Sequence, residues 1–246
     1  LGRTVMVPFE PKAIIALSPT AVEFVYASGG TVVGRPSTAT YPEEALTATE
    51  VGTAYRPNQE AIIALQPDLI ILDSTIHFGP EMLEMAETIG VPAVYAGAAS
   101  LDDVYTGLKL MGSILGNQET VNALITQIKT SQENAYALIS GKNLSTMVIV
   151  GDRERRLYAA NNTGYVGDLL TQVGLINLAA DLPNSAIPGF GLLAPEVALK
   201  MNPPLILVIS PGAPPARRPG GGVRRRDGGL LPAHARRELG GRRRIR

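Results

Sequence analysis

The chain is 246 residues long, 45% hydrophobic and free of cysteine, which excludes disulfides, thiolate nucleophiles and cysteine-ligated zinc. Its formal net charge of +0 hides two unlike parts: residues 1–212 hold 11 Lys and Arg against 20 Asp and Glu, a net of −9, while residues 213–246 hold 11 Arg against Asp227 and Glu238, a net of +9. No run reaches the roughly 20 apolar residues of a membrane span, and the chain opens at Leu1 with neither an initiator Met nor a basic n-region, as expected where a signal peptide has been cleaved or left out.

In chain order, Ala13 to Leu17 reads as a short strand. Ser18-Pro19-Thr20 then opens a helix, with Ser as N-cap and Pro at the first position, and Gly29-Gly30 ends it. Thr31 to Gly34 is the next expected strand, and Arg35 to Thr53 an expected polar loop. Leu69 to Leu72 and Ala93 to Tyr95 are apolar strands on either side of a helix from Pro80 to Ile89 that closes at Gly90. Helical spacing begins again at Leu101. The longest element starts near Asn117, and Val121, Leu124, Ile125, Ile128, Ala135, Leu138 and Ile139 keep its period until Gly141. A helix of about 20 residues spans about 30 Å, enough to run across two lobes as a stiff spine. Thr146 to Val150 and Leu157 to Ala160 read as strands, and Gly164 to Val173 as a helix.

One segment occurs twice. Glu60-Ala-Ile-Ile-Ala-Leu-Gln-Pro67-Asp68-Leu-Ile-Ile-Leu72 returns as Glu196-Val-Ala-Leu-Lys-Met-Asn-Pro203-Pro204-Leu-Ile-Leu-Val208. Each copy places an acid at the start of a short helix, a Pro that stops it, and then a run suited to a buried strand. Strands alternating with helices imply mainly parallel sheets. The fold expected is therefore α/β, with two Rossmann-like lobes joined by one long helix: residues 1–116, a linking helix at 117–141, and a second lobe at 142–212.

After Pro214-Pro215 the periodicity disappears into Arg, Gly, Pro and Ala, with Arg triplets at 224–226 and 242–244. That composition fits either a basic arm for nucleic acid or an anionic membrane, or translation out of frame from a GC-rich gene. The abrupt end of the ordered pattern favours the second. On that reading the second lobe lacks its usual last elements, residues 213–246 are a foreign tail, and no nucleic-acid partner is expected.

The markers Ala16-Leu17-Ser18-Pro19-Thr20-Ala21-Val22-Glu23, Val51 to Glu60, Leu65-Gln66-Pro67-Asp68-Leu69-Ile70, Gly164 to Leu170 and the second repeat copy together resemble the substrate-binding proteins of ABC importers for iron-siderophores, haem and cobalamin, whose lobes are joined by a long helix. The resemblance covers about residues 10–212. Two departures stand out: Pro204 where the family usually has Asp, and the Arg-rich tail in place of the last strand and helices.

The resemblance implies an extracytoplasmic monomer that captures a small metal chelate and delivers it to the importer's permease. The chelate is an iron-siderophore first, with cobalamin or haem next, and membrane association comes only through the permease or a removed lipid anchor. It further implies that Glu60 and Glu196 dock into arginines of that permease. The ligand is expected between the lobes, at loops offering Ser18, Thr20, Tyr41, Tyr55 with Arg56, and Ser74-Thr75-Ile76-His77-Phe78 on one side, and Asn161, Tyr165 and Phe190 on the other. Tyr and Phe suit the flat organic part of a chelate, and Arg56 and His77 its negative charge. Arg153, Arg155 and Arg156 stand in a second-lobe loop that also bounds the expected cleft, and read either as ligand contacts or, more in keeping with a charge run, as a solvated hairpin tip. A bare metal-ion site needs several converging His and carboxylates, and outside the tail His77 stands alone. The two alternatives are therefore a bare metal-ion binding protein, with an all-carboxylate or Tyr-based site, and a two-lobed chelatase-like enzyme. The chain has no P-loop, G-x-G-x-x-G or G-x-S-x-G, so no catalytic residue and no cofactor is expected.

Overall fold

The computed structural model describes residues 4–209. The expectations for the Arg-rich tail and for residues 210–212 fall outside the described residues. The first half carries β1 (Ile14–Ala16), α1 (Pro19–Ala27), β2 (Gly34–Arg35), β3 (Thr49–Glu50), β4 (Gly52–Thr53), β5 (Arg56–Pro57), α2 (Gln59–Ala64), β6 (Leu69–Leu72), α3 (Glu81–Ile89), β7 (Ala93–Tyr95) and α4 (Leu101–Leu115). Its main sheet runs β3-β2-β1-β6-β7 and is parallel throughout. Side chains alternate across it: Ile14, Ala16, Leu69 and Ile71 pack toward α1 and α4, while Ile15, Leu17, Ile70 and Leu72 pack toward α2 and α3. Both faces are covered, so the strands read as unbroken apolar runs. Each fully buried Ile or Leu contributes about 1.5–3 kcal/mol.

Two expectations shift here. The strand placed at Thr31 to Gly34 is β2, displaced to Gly34–Arg35. Gly34 sits where chains crowd: a Cβ on it would stand 3.0 Å from Ile15 Cγ1 and 3.0 Å from Leu65 Cδ1. The region expected to be a polar loop contains β3 and a 3-10 turn at Glu43–Thr47, organised by a buried guanidinium. Arg35 donates to the carbonyls of Ala45 and Pro36 and to Glu50 Oε1 at 3.0, 3.2 and 3.1 Å.

α5 (Gln118–Ile139) is one uninterrupted helix of 22 residues connecting the two halves. Val121 and Ile125 bury against α4, where Gly112 leaves room for Val121. The expected inward face does not persist to the helix end, for Leu138 is 70% exposed.

The second half carries β8 (Ser145–Gly151), β9 (Leu157–Ala160), α6 (Tyr165–Gln172), β10 (Ile176–Asn177), β11 (Phe190–Leu193), α7 (Pro195–Met201) and β12 (Leu205–Ile209). β8 pairs in parallel with β10 and β12 but antiparallel with β9, which pairs antiparallel with β11. The second sheet is thus mixed. The cause is local: the segment between β8 and β9 is too short for a crossover helix and closes as a hairpin.

The repeat is structural as well as sequential. α2 leads into β6 beside β1, and α7 leads into β12 beside β8, both in parallel. The Asp68/Pro204 difference has a visible consequence. Asp68 accepts the amides of Lys12 and Ala13 at 2.6 and 3.0 Å, pinning the entry to β1. At the second copy the hydroxyl of Thr146 reaches Leu205 O instead, at 3.2 Å.

Candidate ligand cleft

The loops after β6 and β7 meet the loops after β9 and before β11 around a space of about 270 Å³. From the first lobe it is lined by Ser74, Thr75, Phe78 and Asp103, and from the second by Thr163 and Asn184, with Pro188-Gly189 behind them.

The first-lobe side is built on Asp73, which is buried. One carboxylate oxygen accepts from Ser18 Oγ at 2.7 Å; the other accepts from the amide and hydroxyl of Thr75 at 2.8 and 2.6 Å. Ser18 Oγ also accepts from the Ala21 amide at 2.9 Å, so this one hydroxyl caps α1 and ties it to the β6 loop. The Asp73 amide donates to His77 Nδ1 at 2.9 Å, which leaves the ring hydrogen on Nε2, 2.9 Å from Ala54 O. His77 thereby joins the β6 loop to the β4–β5 hairpin that carries Tyr55 and Arg56.

On the second lobe the organiser is Asn161, fully buried. Its Nδ2 donates to Leu182 O and Asn184 Oδ1 at 2.8 and 2.9 Å, and its Oδ1 accepts from the amide and hydroxyl of Thr163 at 3.0 and 2.8 Å. Behind it the backbones of Gly164 and Gly189 touch: a Cβ on Gly164 would lie 2.5 Å from Gly189 Cα. Any side chain at either position would push the Pro188-Gly189 loop off the start of α6.

The expected site residues therefore separate. Ser74 lines the cleft, as do Thr75 and Phe78 from the same run. Ser18, His77 and Asn161 were expected to face ligand but are buried, with their hydrogen-bonding groups engaged by the protein. Phe190, at the start of β11, packs against the cluster of Val148, Ala160 and Leu170. Tyr41, Tyr55 and Arg56 are exposed and lie outside the cleft lining. Thr20 and Tyr165 face a second groove of about 440 Å³ between α1, α4 and α5, with Glu23 at its edge. Burial raises the Glu23 carboxyl above its usual range, and burial followed by the nearby Asp168 charge raises the Tyr165 phenol.

The cleft also holds Asp103 and Asn184, which the sequence does not single out. A signal for Asp103 was present, since Ser100-x-x-Asp103 is a helix-start pattern. Ser100 Oγ accepts the Asp103 amide at 3.1 Å, and Asp103 Oδ2 accepts the Ala99 amide at 3.1 Å. Asn184 comes from an irregular loop with no such pattern.

The arginine run is a hairpin tip held by Asp152. That carboxylate accepts from the amides of Glu154 and Arg156, from Arg156 Nε at 2.7 Å and from the Tyr158 hydroxyl. Glu60 and Glu196 each stand in the first turn of a short helix, exposed and in no ion pair among the described residues. Also among the described residues, no group of three or more His, Asp and Glu could hold a metal ion, and no helix is long and apolar enough to cross a membrane.

Residues 14–218 match the sequence model of the family described as periplasmic binding protein. The chain is 25% identical over 214 residues to the uncharacterized ABC transporter substrate-binding lipoprotein YvrC of Bacillus subtilis, covering 84% of this chain and 66% of YvrC. It is 29% identical over 159 residues to the Fe(3+) dicitrate-binding periplasmic protein FecB of Escherichia coli, covering 64% of this chain and 50% of FecB. The chain thus spans between half and about two thirds of these relatives' lengths. Its fold superposes on the periplasmic heme-binding protein RhuT of Roseiflexus sp. RS-1 with a TM-score of 0.68 and 27% identity, covering 80% of this chain and 76% of RhuT.

Proposed function

The chain belongs to the periplasmic binding protein family, and from that premise we propose that it captures a metal chelate outside the cytoplasm and delivers it to an ABC permease. The observation that carries this reading is the cleft lined from both lobes, with hydroxyl, amide and phenyl groups presented by loops rather than a converging nucleophile and base. Ferric siderophores come first among the ligand classes and haem or cobalamin next; the Fe(3+) dicitrate named for FecB and the heme named for RhuT support an iron chelate as the class.

Delivery on this reading uses Glu60 and Glu196. Both precede strands that hold equivalent places in their sheets, so two exposed anions stand at matching positions on the two lobes. Paired anions facing basic permease sites set orientation and association rate more than raw affinity. The test of capture is a thermal-shift screen with ferric siderophores, haem and cobalamin, together with mass spectrometry of whatever copurifies. A binding protein is stabilised in proportion to ligand concentration and leaves the ligand unchanged; turnover of the chelate, or no stabilisation by any of the three classes, rejects the reading.

A further inference from the structure

Each of the two docking glutamates has exposed arginine beside it, and this inference rests on the docking reading above. On the first lobe Arg56 opens β5, and four residues later Glu60 stands in the first turn of α2, at most about 14 Å along the chain. On the second lobe Gly151, Leu157 and Leu193 lie in one row across β8, β9 and β11. The β8–β9 tip with Arg153 and Arg155, and the start of α7 with Glu196, therefore leave the sheet at the same end, two strands or roughly 10 Å apart. All five side chains are exposed, and among the described residues none of them is in an ion pair.

Both sets of arginines are held on fastened hairpins. The first is tied down by buried His77, whose Nε2 lies 2.9 Å from Ala54 O, and Thr53 Oγ1 accepts the Arg56 amide at 3.1 Å. The second is closed by Asp152, which accepts the amides of Glu154 and Arg156 at 2.9 Å each, and Arg155 is kept there in the left-handed conformation with φ of 64°. Backbone fixed in advance loses little freedom when its side chains are engaged. Beside Arg56, Tyr55 is 68% exposed, and Tyr with Arg is the composition of strong contact points at interfaces.

The alternation of sign selects the partner. An acidic lipid surface would attract the arginines but repel Glu60 and Glu196, which stand within about a Debye length of them, and would repel the net −9 of residues 1–212. A purely basic surface would do the reverse. A protein surface that alternates basic and acidic side chains at this spacing satisfies both signs on both lobes.

We propose that Arg56 on the first lobe and Arg153 with Arg155 on the second are docking residues beside Glu60 and Glu196, and that they meet carboxylates of the permease bordering its basic sites. A contact of two signs on each lobe fixes the docked register, because a slide that pairs one charge elsewhere sets its neighbour against a like charge.

The triple variant Arg56→Glu, Arg153→Glu and Arg155→Asp tests this in the full chain, Asp being a residue that tolerates the backbone of Arg155. Residues 210–246 are the same in wild type and variants, so their charge is common to every comparison. Association with the cognate permease is measured by biolayer interferometry in nanodiscs of phosphatidylcholine and, separately, of phosphatidylglycerol. The expected result is an affinity at least tenfold weaker in both lipids, carried mostly by the association rate, with an unchanged melting temperature. If the reversed variant melts lower, Arg56→Ala with Arg153→Ala and Arg155→Asn takes its place, and a loss of at least threefold is expected. Unchanged affinity, alongside the loss caused by Glu60→Arg with Glu196→Arg, overturns the arginine contacts and leaves docking by the glutamates standing. A loss confined to phosphatidylglycerol discs assigns the arginines to lipid headgroups and overturns the proposal as well. If neither set of variants alters association, the docking reading falls and the arginine contacts with it.

Discussion

Asp168 Oδ2 accepts a hydrogen bond of 2.7 Å from the amide of Leu101, the first residue of α4, across 67 positions of sequence. The bond crosses from the second lobe to the first. It satisfies one of the amides left free at a helix start and places a carboxylate at the positive end of α4. A second bridge, Gln132 Nε2 to Gln172 Oε1 at 3.0 Å, links α5 to the same helix α6. Together with the uninterrupted α5, these contacts set the angle at which the two sides of the cleft meet.

Asp168→Ala should therefore lower stability by about 1–3 kcal/mol in urea denaturation and broaden the distribution of interlobe distances seen by small-angle scattering. Asp168→Asn, which retains an acceptor, should lose less. Equal losses in the two variants would show that the bond to Leu101 is not what matters.

His77 holds two loops rather than a ligand, and its removal should reveal this. His77→Ala leaves the Asp73 amide and the Ala54 carbonyl without their partner in a buried site, at a cost of about 2–4 kcal/mol. Amide chemical shifts of Ala54, Tyr55 and Arg56 should move with those of Asp73 to Phe78 in that variant. Movement confined to residues 73–78 would separate the hairpin from the β6 loop.

On the proposed docking role, replacing both Glu60 and Glu196 by Arg should leave chelate affinity intact and abolish uptake into vesicles carrying the cognate importer, since each reversed charge would then oppose a basic permease site at a cost of several kcal/mol. Each single reversal should be milder. Normal uptake by the double variant would reduce the repeat to an echo of lobe duplication, and loss of chelate binding would place the two acids in the fold or the cleft.

The hairpin at Asp152 gives a pH dependence of definite sign. Desolvation pushes the Asp152 carboxyl up, but the side-chain and backbone hydrogen bonds from Arg156, with those from Tyr158 and Glu154, outweigh it and leave the group below its ordinary value. A depressed folded value means that the stabilisation is complete above the unfolded carboxylate pKa and is lost as pH falls through the folded one. Thermal melts of the wild type across the acid range should show this loss, and Asp152→Asn should flatten that part of the profile. An identical profile in the variant would assign the acid sensitivity to other carboxylates.

Much of the fold was legible because its signals are local. Ser18 caps the helix that follows it, Gly90 ends its helix in the left-handed conformation, and the run from Gln118 to Ile139 holds no Gly or Pro, so the long helix could be read directly. The repeat of Glu60 to Leu72 at Glu196 to Val208 likewise marks two equivalent helix-strand units in the sequence itself. What sequence could not decide is which polar side chain of a loop faces the cleft and which turns inward. Ser18, His77 and Asn161 look like surface polar residues in the chain, yet each completes hydrogen bonds to groups 55, 23 and 21 positions away. Asp103 lines one space with Thr163 and Asn184 only because α4 and α6 bring the lobes together, and the antiparallel β9 follows from a hairpin whose tip Asp152 ties together. Caps, stops and periodicity act within a turn or two of chain and so appear in sequence; convergence of distant loops depends on how two packed cores are set against each other, which tertiary structure alone decides.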